Sequence, residues 1–267
     1  MNEENILDWS SVEDIALLDD NYRNNNFDTY FYNGIGVPRV SNILKECINK
    51  EYLIKWAGRV GIKEMEVQQT KACAIGSMVH EKIENFLLTG TDLNISYKVP
   101  KDYNQYIDKS YNNFKNWYNN LHSMGYIIEQ IYATEKQVVC PYFGGTIDCV
   151  MRINGKNYIV DFKTSKSISH EYIIQTCSYM WIVNDGYCPD LPHIDGVGII
   201  RVDKNTDKFE DLFLNENINN QRHIIEQYMV GFGALLKSFY NNINMKLLYS
   251  QYKKEYNIYD TLEGYDG

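Results

Sequence analysis

Apolar residues recur along this chain in two different rhythms. Residues 150–153 and 158–162 form short dense apolar runs, and Asn154-Gly155 between them is the commonest dipeptide of a two-residue hairpin turn. Over 72–88 and 169–183 the apolar positions return every three or four residues, the period of an amphipathic helix. Carried along the chain, this pattern predicts helices over about 41–72 and 74–89 and another near 101–124. Strands follow near 126–140, 143–153 and 157–164, then a helix at 169–184, a strand at 196–202, an edge strand at 208–214 and a long helix from about 216 to 242. That order specifies a mixed α/β (α+β) protein whose central sheet is flanked by helices, with an added helical region ahead of it. The chain carries no internal repeat.

Charges placed inside the apolar strands change the picture. If Asn154 and Gly155 occupy the turn, Ile153 faces Lys156, and counting back sets Asp148 opposite Asp161. Cross-strand partners share a face with Cβ atoms about 4.5–5.5 Å apart. Two carboxylates that close repel unless a proton or cation lies between them, and oxygen ligands of this kind suit Mg²⁺ or Mn²⁺. Lys163 lies two residues past Asp161, so the strand period returns it to the same face. There it can hold an attacking water or neutralise charge on a phosphoryl-transfer transition state. An isolated Asp or Lys on a strand is usually a solvated residue. An acid within each of two apolar strands, matched in register and followed by lysine at i+2, marks a site for metal-dependent cleavage of a phosphodiester.

The neighbouring helices carry further candidates. Gly76, His80 and Glu84 stand at four-residue steps on one helical face. His80 can add a nitrogen ligand, although a lone helical histidine is more often a packing residue. Gly76 would let the backbone come close to a neighbour or substrate. Gln175 and Tyr179 form an i, i+4 pair whose polar tips can touch a scissile phosphate or orient Lys163; a core-facing tyrosine is the equally weighted alternative.

At these residues a resemblance becomes evident. Pro38-Arg39-Val40-Ser41-Asn42-Ile43-Leu44, Leu53-Ile54-Lys55-Trp56, Gly61 and Gly76-Ser77-Met78-Val79-His80-Glu81-Lys82-Ile83-Glu84 resemble the amino-terminal half of RecB-like nucleases of the PD-(D/E)XK superfamily. The type most similar is that of the phage and mitochondrial genome maintenance exonucleases. Glu135, Gly145-Thr146-Ile147-Asp148, Asp161-Phe162-Lys163-Thr164-Ser165 and Gln175-x-x-x-Tyr179 resemble the second half in order and spacing, so the similarity covers about residues 37–185. It implies a restriction-endonuclease-like core in which His80, Asp148, Asp161 and the carbonyl of Phe162 hold the metal. It also implies that Lys163 is the catalytic lysine and Gln175 with Tyr179 the polar pair. Glu84 and Glu135 are auxiliary candidates, Glu135 alternatively only flanking its strand. Arg39, Lys55, Trp56, Arg59, Ser77 and Lys166 are candidates for DNA contact, Ser77 standing where the family more often has threonine. Some relatives hold an iron–sulfur cluster, but Cys47, Cys73, Cys140, Cys149, Cys177 and Cys188 include no C-x-x-C spacing, and neither a cluster nor structural zinc is expected.

Composition sets the context. Scattered cysteines in apolar surroundings fit buried thiols of a reducing compartment. No apolar run is long enough to span a bilayer, and the acidic amino terminus lacks the pattern of a signal peptide, so a cytoplasmic protein without membrane partners is expected. Abundant Tyr, Asn, Ile and Lys fit an AT-rich coding genome such as a phage's. The net charge of −9 looks wrong for holding DNA, yet residues 1–30 alone carry eight acids against one arginine. Residues 38–72 carry seven Lys or Arg against four Glu, so basic helices with Trp56 can line a strand-binding channel or, equally, be solvated faces. The organisation expected is an acidic arm (1–36), a helical region with the histidine motif (37–125), the nuclease core (126–245) and a tail (246–267). The arm serves solubility, docks a replication or recombination protein, or competes with DNA as a lid.

These features predict a metal-dependent DNA exonuclease of replication, recombination or repair, acting on ends, with single-stranded ends favoured. No P-loop is present to drive unwinding. The alternatives are a structure-specific endonuclease acting on flaps or branches with the same site, and a non-catalytic DNA-binding recombination accessory. A complete acid, acid, lysine set speaks against the last.

Overall fold

The computed structural model describes residues 18–48, 51–92 and 99–256. The chain opens with α1 (Asp20–Asn26), the strands β1 (Tyr30–Tyr32) and β2 (Ile35–Val37), and the helices α2 (Val40–Cys47), α3 (Glu51–Val60) and α4 (Ile62–Thr89). A 3-10 turn at Lys101–Tyr103 leads into α5 (Asn104–Ser123). The strands β3 (Ile128–Val139), β4 (Gly144–Ile153) and β5 (Lys156–Lys163) follow, then α6 (His170–Ile182) with a π-turn at Val183–Tyr187, β6 (Gly196–Val202), β7 (Phe209–Asn215) and α7 (Asn219–Tyr256).

The hairpin read from Asn154-Gly155 sets the centre of the molecule. Both residues have positive φ, 46° and 78°, as a type I′ turn requires, and Ile153 pairs with Lys156 as expected. The five-stranded sheet runs β3-β4-β5-β6-β7, antiparallel except for the parallel pair β5 and β6, which α6 connects. The expected mixed sheet, flanked by helices and preceded by a helical region, is what the chain forms.

Alternation along the strands divides the apolar side chains between two cores. Ile159, Val197 and Ile199 face α2, α6 and α7, whereas Val160, Phe162, Ile200 and Val202 face α4 and α5. Every residue of β6 is buried, which explains its apolar run over 196–200, and the buried Arg201 beyond it pairs with Asp203 and Glu210. On α4, Ile75, Met78, Val79 and Ile83 form the stripe that seals the second core. That packing fixes which way His80 points.

Several boundaries differ from the sequence reading. The helical region expected over 41–72 is three helices, and α4 is continuous through residue 73, where the apolar pattern predicts a break. The last helix continues to Tyr256, so the segment expected as a tail from 246 begins as helix; residues 257–267 lie outside the described residues. Residues 1–17, most of the acidic arm, also lie outside them. The aromatic end of that arm packs on the main body: Tyr30 is buried, and buried Arg23 donates to the carbonyls of Gly36 (3.0 Å) and Pro141 (2.7 Å). Among the described residues no helix is long and apolar enough to cross a membrane.

Candidate metal centre

The candidate site lies where β4 and β5 stop pairing. Their ladder ends at Cys149 with Val160, and the next position in that register sets Asp148 beside Asp161. There a side chain replaces the backbone acceptor: Oδ2 of Asp148 takes the Phe162 N–H at 2.8 Å. The Phe162 carbonyl meets α4 instead, where His80 Nε2 donates to it at 2.8 Å. With Nε2 donating, Nδ1 of a neutral ring is an acceptor, and it lies 3.5 Å from Asp148 Oδ2. Two acceptors facing each other need a proton or a cation between them.

Glu135 completes this cluster from β3. The pairs Thr134 with Cys149 and Lys136 with Ile147 bracket it, which sets it across from Asp148. His80, Glu135 and Asp148 offer ligand atoms all within 4.8 Å of one another. Glu135 has a φ of 45°, a left-handed conformation unfavourable for a side chain of this kind. Partial burial raises its carboxyl above the ordinary glutamate range, and the charges of Asp148 and Glu84 push the same way while His80 opposes them. Strained backbone and crowded acids at one point are the marks of a functional site.

Asp161 lies outside that trio and against Lys163. Its Oδ1 accepts a hydrogen bond from the ammonium at 2.8 Å. Oδ2 is 2.7 Å from the same nitrogen but off hydrogen-bond geometry, so this buried oxygen has no donor. Burial raises the Asp161 carboxyl in spite of Lys163, and Asp148 adds to the shift. Burial alone would depress Lys163, but Asp161 and Asp148 together hold it above the usual lysine range. The ammonium also lies 4.9 Å from the Tyr172 ring centroid, a cation–π contact that helps fix it. A one-nitrogen, carboxylate-rich donor set with an unsatisfied carboxylate oxygen fits a divalent cation such as Mg²⁺ or Mn²⁺.

The polar pair on α6 is joined as its spacing implies, Gln175 Nε2 donating to the Tyr179 hydroxyl at 2.9 Å. Tyr179 is buried, and burial pushes its phenol far above the ordinary value against the pull of Gln175. Its ring lies over Gly145, where an added Cβ would come within 2.3 Å of the ring. The fold needs Gly145 bare so that the Tyr179 ring can lie against β4. Beside it, the Tyr30 hydroxyl and Thr146 Oγ1 are 2.9 Å apart, a pair that no motif spacing marks.

The remaining candidates are spread around this centre. Glu84 accepts from Thr134 Oγ1 at 2.8 Å, tying α4 to β3 outside the three-residue ligand group. Gly76 approaches Thr164, yet an added Cβ would be at an ordinary 3.7 Å, so packing within the chain does not demand a glycine. Arg39 is exposed at the start of β4, its backbone bridged to Gly144 and its guanidinium 5.8 Å from the Tyr30 ring centroid. Ser77 and Lys166 are exposed on α4 and on the loop after β5. Lys55, Trp56 and Arg59 belong to α3, which packs on α4, and Lys55 pairs with Glu51 on its own helix at 2.8 Å. Cys140, Cys149, Cys177 and Cys188 are buried, Cys47 is partly buried and Cys73 is exposed.

No protein-family model matches this chain. No curated protein matches it either. Among solved structures it is similar to SSO0001, at 14% identity over 60% of this chain and 74% of that one, with a TM-score of 0.26. It is also similar to a phage-related exonuclease from Haemophilus somnus 129PT, at 13% identity over 79% of this chain and 96% of that one, with a TM-score of 0.32. Likeness this loose carries no inference about chemistry.

Proposed function

We propose that this protein is a metal-dependent DNA exonuclease of the PD-(D/E)XK type. The observation that carries the reading is the gathering, at the point where β4 and β5 part, of His80, Glu135 and Asp148 beside the buried Asp161 and Lys163 pair. A bound Mg²⁺ or Mn²⁺ would polarise the scissile phosphate, lower the pKa of the attacking water and stabilise the leaving 3′ oxygen. His80, Asp148, Asp161 and the Phe162 carbonyl would hold it, with Glu135 as an added carboxylate.

The chain's own groups supply the rest. Asp161 fixes Lys163 through Oδ1, and Lys163 Nζ then orients the attacking water and offsets charge gathering on the non-bridging oxygens. Gln175 and Tyr179 brace the face on which Lys163 stands. Water adds to phosphorus and gives up a proton to solvent, the 3′ oxygen leaves with its electron pair, and a proton from solvent passes to that oxygen. Arg39, Ser77 and Lys166 would contact the backbone of a strand with a free end, and the resemblance of the motifs to those of exonucleases favours digestion from ends. The domains proposed for this work are the histidine-bearing helical region and the sheet that follows it.

The test is a Mg²⁺ and Mn²⁺ time course on end-labelled linear DNA, single and double stranded, beside covalently closed circles, with Asp161→Ala as control. Loss of linear DNA with circles intact, abolished by the substitution, is the expected result. Cutting of circles would make the protein an endonuclease, and inactivity on every substrate would refute the nuclease reading.

A further inference from the structure

Lys204 lies on the loop that follows β6, and the fold spends several buried polar groups on holding that loop still. Asn113, buried on α5, donates to the carbonyls of Asp203 and Thr206, both at 2.7 Å. Buried Ser110 donates to the Val202 carbonyl at 3.2 Å. Asp203 Oδ1 accepts the N–H groups of Asn205 (2.7 Å) and Thr206 (3.1 Å), while Oδ2 accepts Arg201 Nη1 at 3.0 Å. Asp203 is thereby committed to other donors. Lys204, on the same loop, has no carboxylate partner within ion-pair distance among the described residues and is only partly exposed. Burial holds it below the ordinary lysine range; Asp203 and Cys73 oppose the shift and Lys166 adds to it. An ammonium kept half out of water, on a fixed loop and without a counterion, is an arrangement that costs stability unless an anion completes it.

Position says which anion. β5 and β6 are parallel, with Lys163 paired to Arg201, so Lys166 and Lys204, each three residues beyond that pair, stand on the two loops that leave the same end of the sheet. Ligands of open α/β sheets gather at the carboxyl ends of such strands. Above them passes α4, whose Gly76 faces Thr164 and whose His80 meets the Phe162 carbonyl. Cys73, whose thiol bears on Lys204, stands about two turns before His80 on α4.

We propose that Lys204, together with Lys166, forms a phosphate subsite that grips the substrate strand beside the scissile position. This rests on the nuclease reading for the nature of the strand, but the binding itself can be measured without cleavage. The two ammoniums hold a backbone phosphodiester, and the Arg201 and Asn113 contacts keep the loop of Lys204 in place before the strand arrives.

The experiment is the salt dependence of binding, without divalent metal, of an oligothymidylate lacking terminal phosphates. It compares the full chain with Lys204→Gln, Lys166→Gln, the double variant, Lys204→Arg, and Lys246→Gln on the exposed surface of α7 as a control. Removing one lysine that neutralises a phosphate of a single strand lowers the magnitude of the log K against log salt slope by about 0.7. A fall of that size is expected for each glutamine variant, about twice that for the double variant, and none for Lys204→Arg or Lys246→Gln. Slopes for Lys204→Gln equal to the unmodified protein's, or no binding by the unmodified protein, would overturn the subsite. Hydrolysis in Mn²⁺ by a protein whose slope ignores Lys204 sinks the subsite alone. Binding that depends on Lys204 without any hydrolysis in Mn²⁺ keeps the subsite and sinks the nuclease reading.

Discussion

Replacing Glu135 by asparagine should stabilise the protein without metal and weaken it with metal. Glu135 holds a φ of 45°, in a region that costs a residue with an extended side chain about 1–2 kcal/mol and that asparagine tolerates better. The substitution also removes a carboxylate whose pKa is raised first by partial burial and then by the charges of Asp148 and Glu84. Glu135 is exposed, so little packing is sacrificed. Together these give a gain of about 1 kcal/mol, or a rise in Tm of roughly 2–4 °C for a chain near this size. The opposite holds once Mn²⁺ is added, because a ligand that binds only the folded state at 100 times its Kd stabilises by about 2.7 kcal/mol. Losing a carboxylate ligand lowers that increment. Thermal melts of both proteins in chelator and across a Mn²⁺ titration decide the matter. A lower Tm in chelator, or an unchanged Mn²⁺ increment, would refute the view that backbone strain at Glu135 is maintained for metal binding.

Further outcomes follow from the same geometry. Gly145→Ala sets a methyl group within 2.3 Å of the Tyr179 ring, and overpacking of this kind costs about 1–3 kcal/mol; denaturant melts should show it, together with loss of activity as Tyr179 is displaced. Gly155→Ala forces a side chain to a φ of 78° in the central hairpin and should cost about 1–2 kcal/mol by the same melts, whereas a neutral result would mean that the turn relaxes freely. Burial raises Asp195, but hydrogen bonds from the Asn157 N–H, Asn217 and Lys156 outweigh it and leave its pKa depressed. Its contribution is therefore complete above the unfolded value of about 3.9 and lost as pH falls through the folded one, so Asp195→Asn should flatten the acid limb of a stability profile taken between about pH 5 and 2.

What the sequence discloses follows from which interactions are local. Asn154-Gly155 can form only a few turns, and once its type is set the register of Asp148 against Asp161 follows by counting. The i, i+4 pair Gln175 and Tyr179 is equally local, and its hydrogen bond is present. The parting of β4 from β5 beyond Cys149 is not legible, because it depends on Asp148 taking the Phe162 N–H, a choice made by tertiary context. For the same reason the sequence makes Asp161 a simple partner of Asp148, whereas its closest contact is Lys163. The bare Gly145 under Tyr179 and the left-handed Glu135 involve residues distant in sequence, and only the doubled glycine leaves a trace. Helix ends are blurred where apolar periodicity runs on: α4 passes through residue 73 and α7 reaches Tyr256.

The central claim is that His80 and Asp148, beside Asp161 and Lys163, hold a divalent cation. Anomalous diffraction from crystals soaked in Mn²⁺ tests it most directly. The account predicts one strong peak bonded to both His80 and Asp148. Peaks only elsewhere, or none at saturating Mn²⁺, would contradict it.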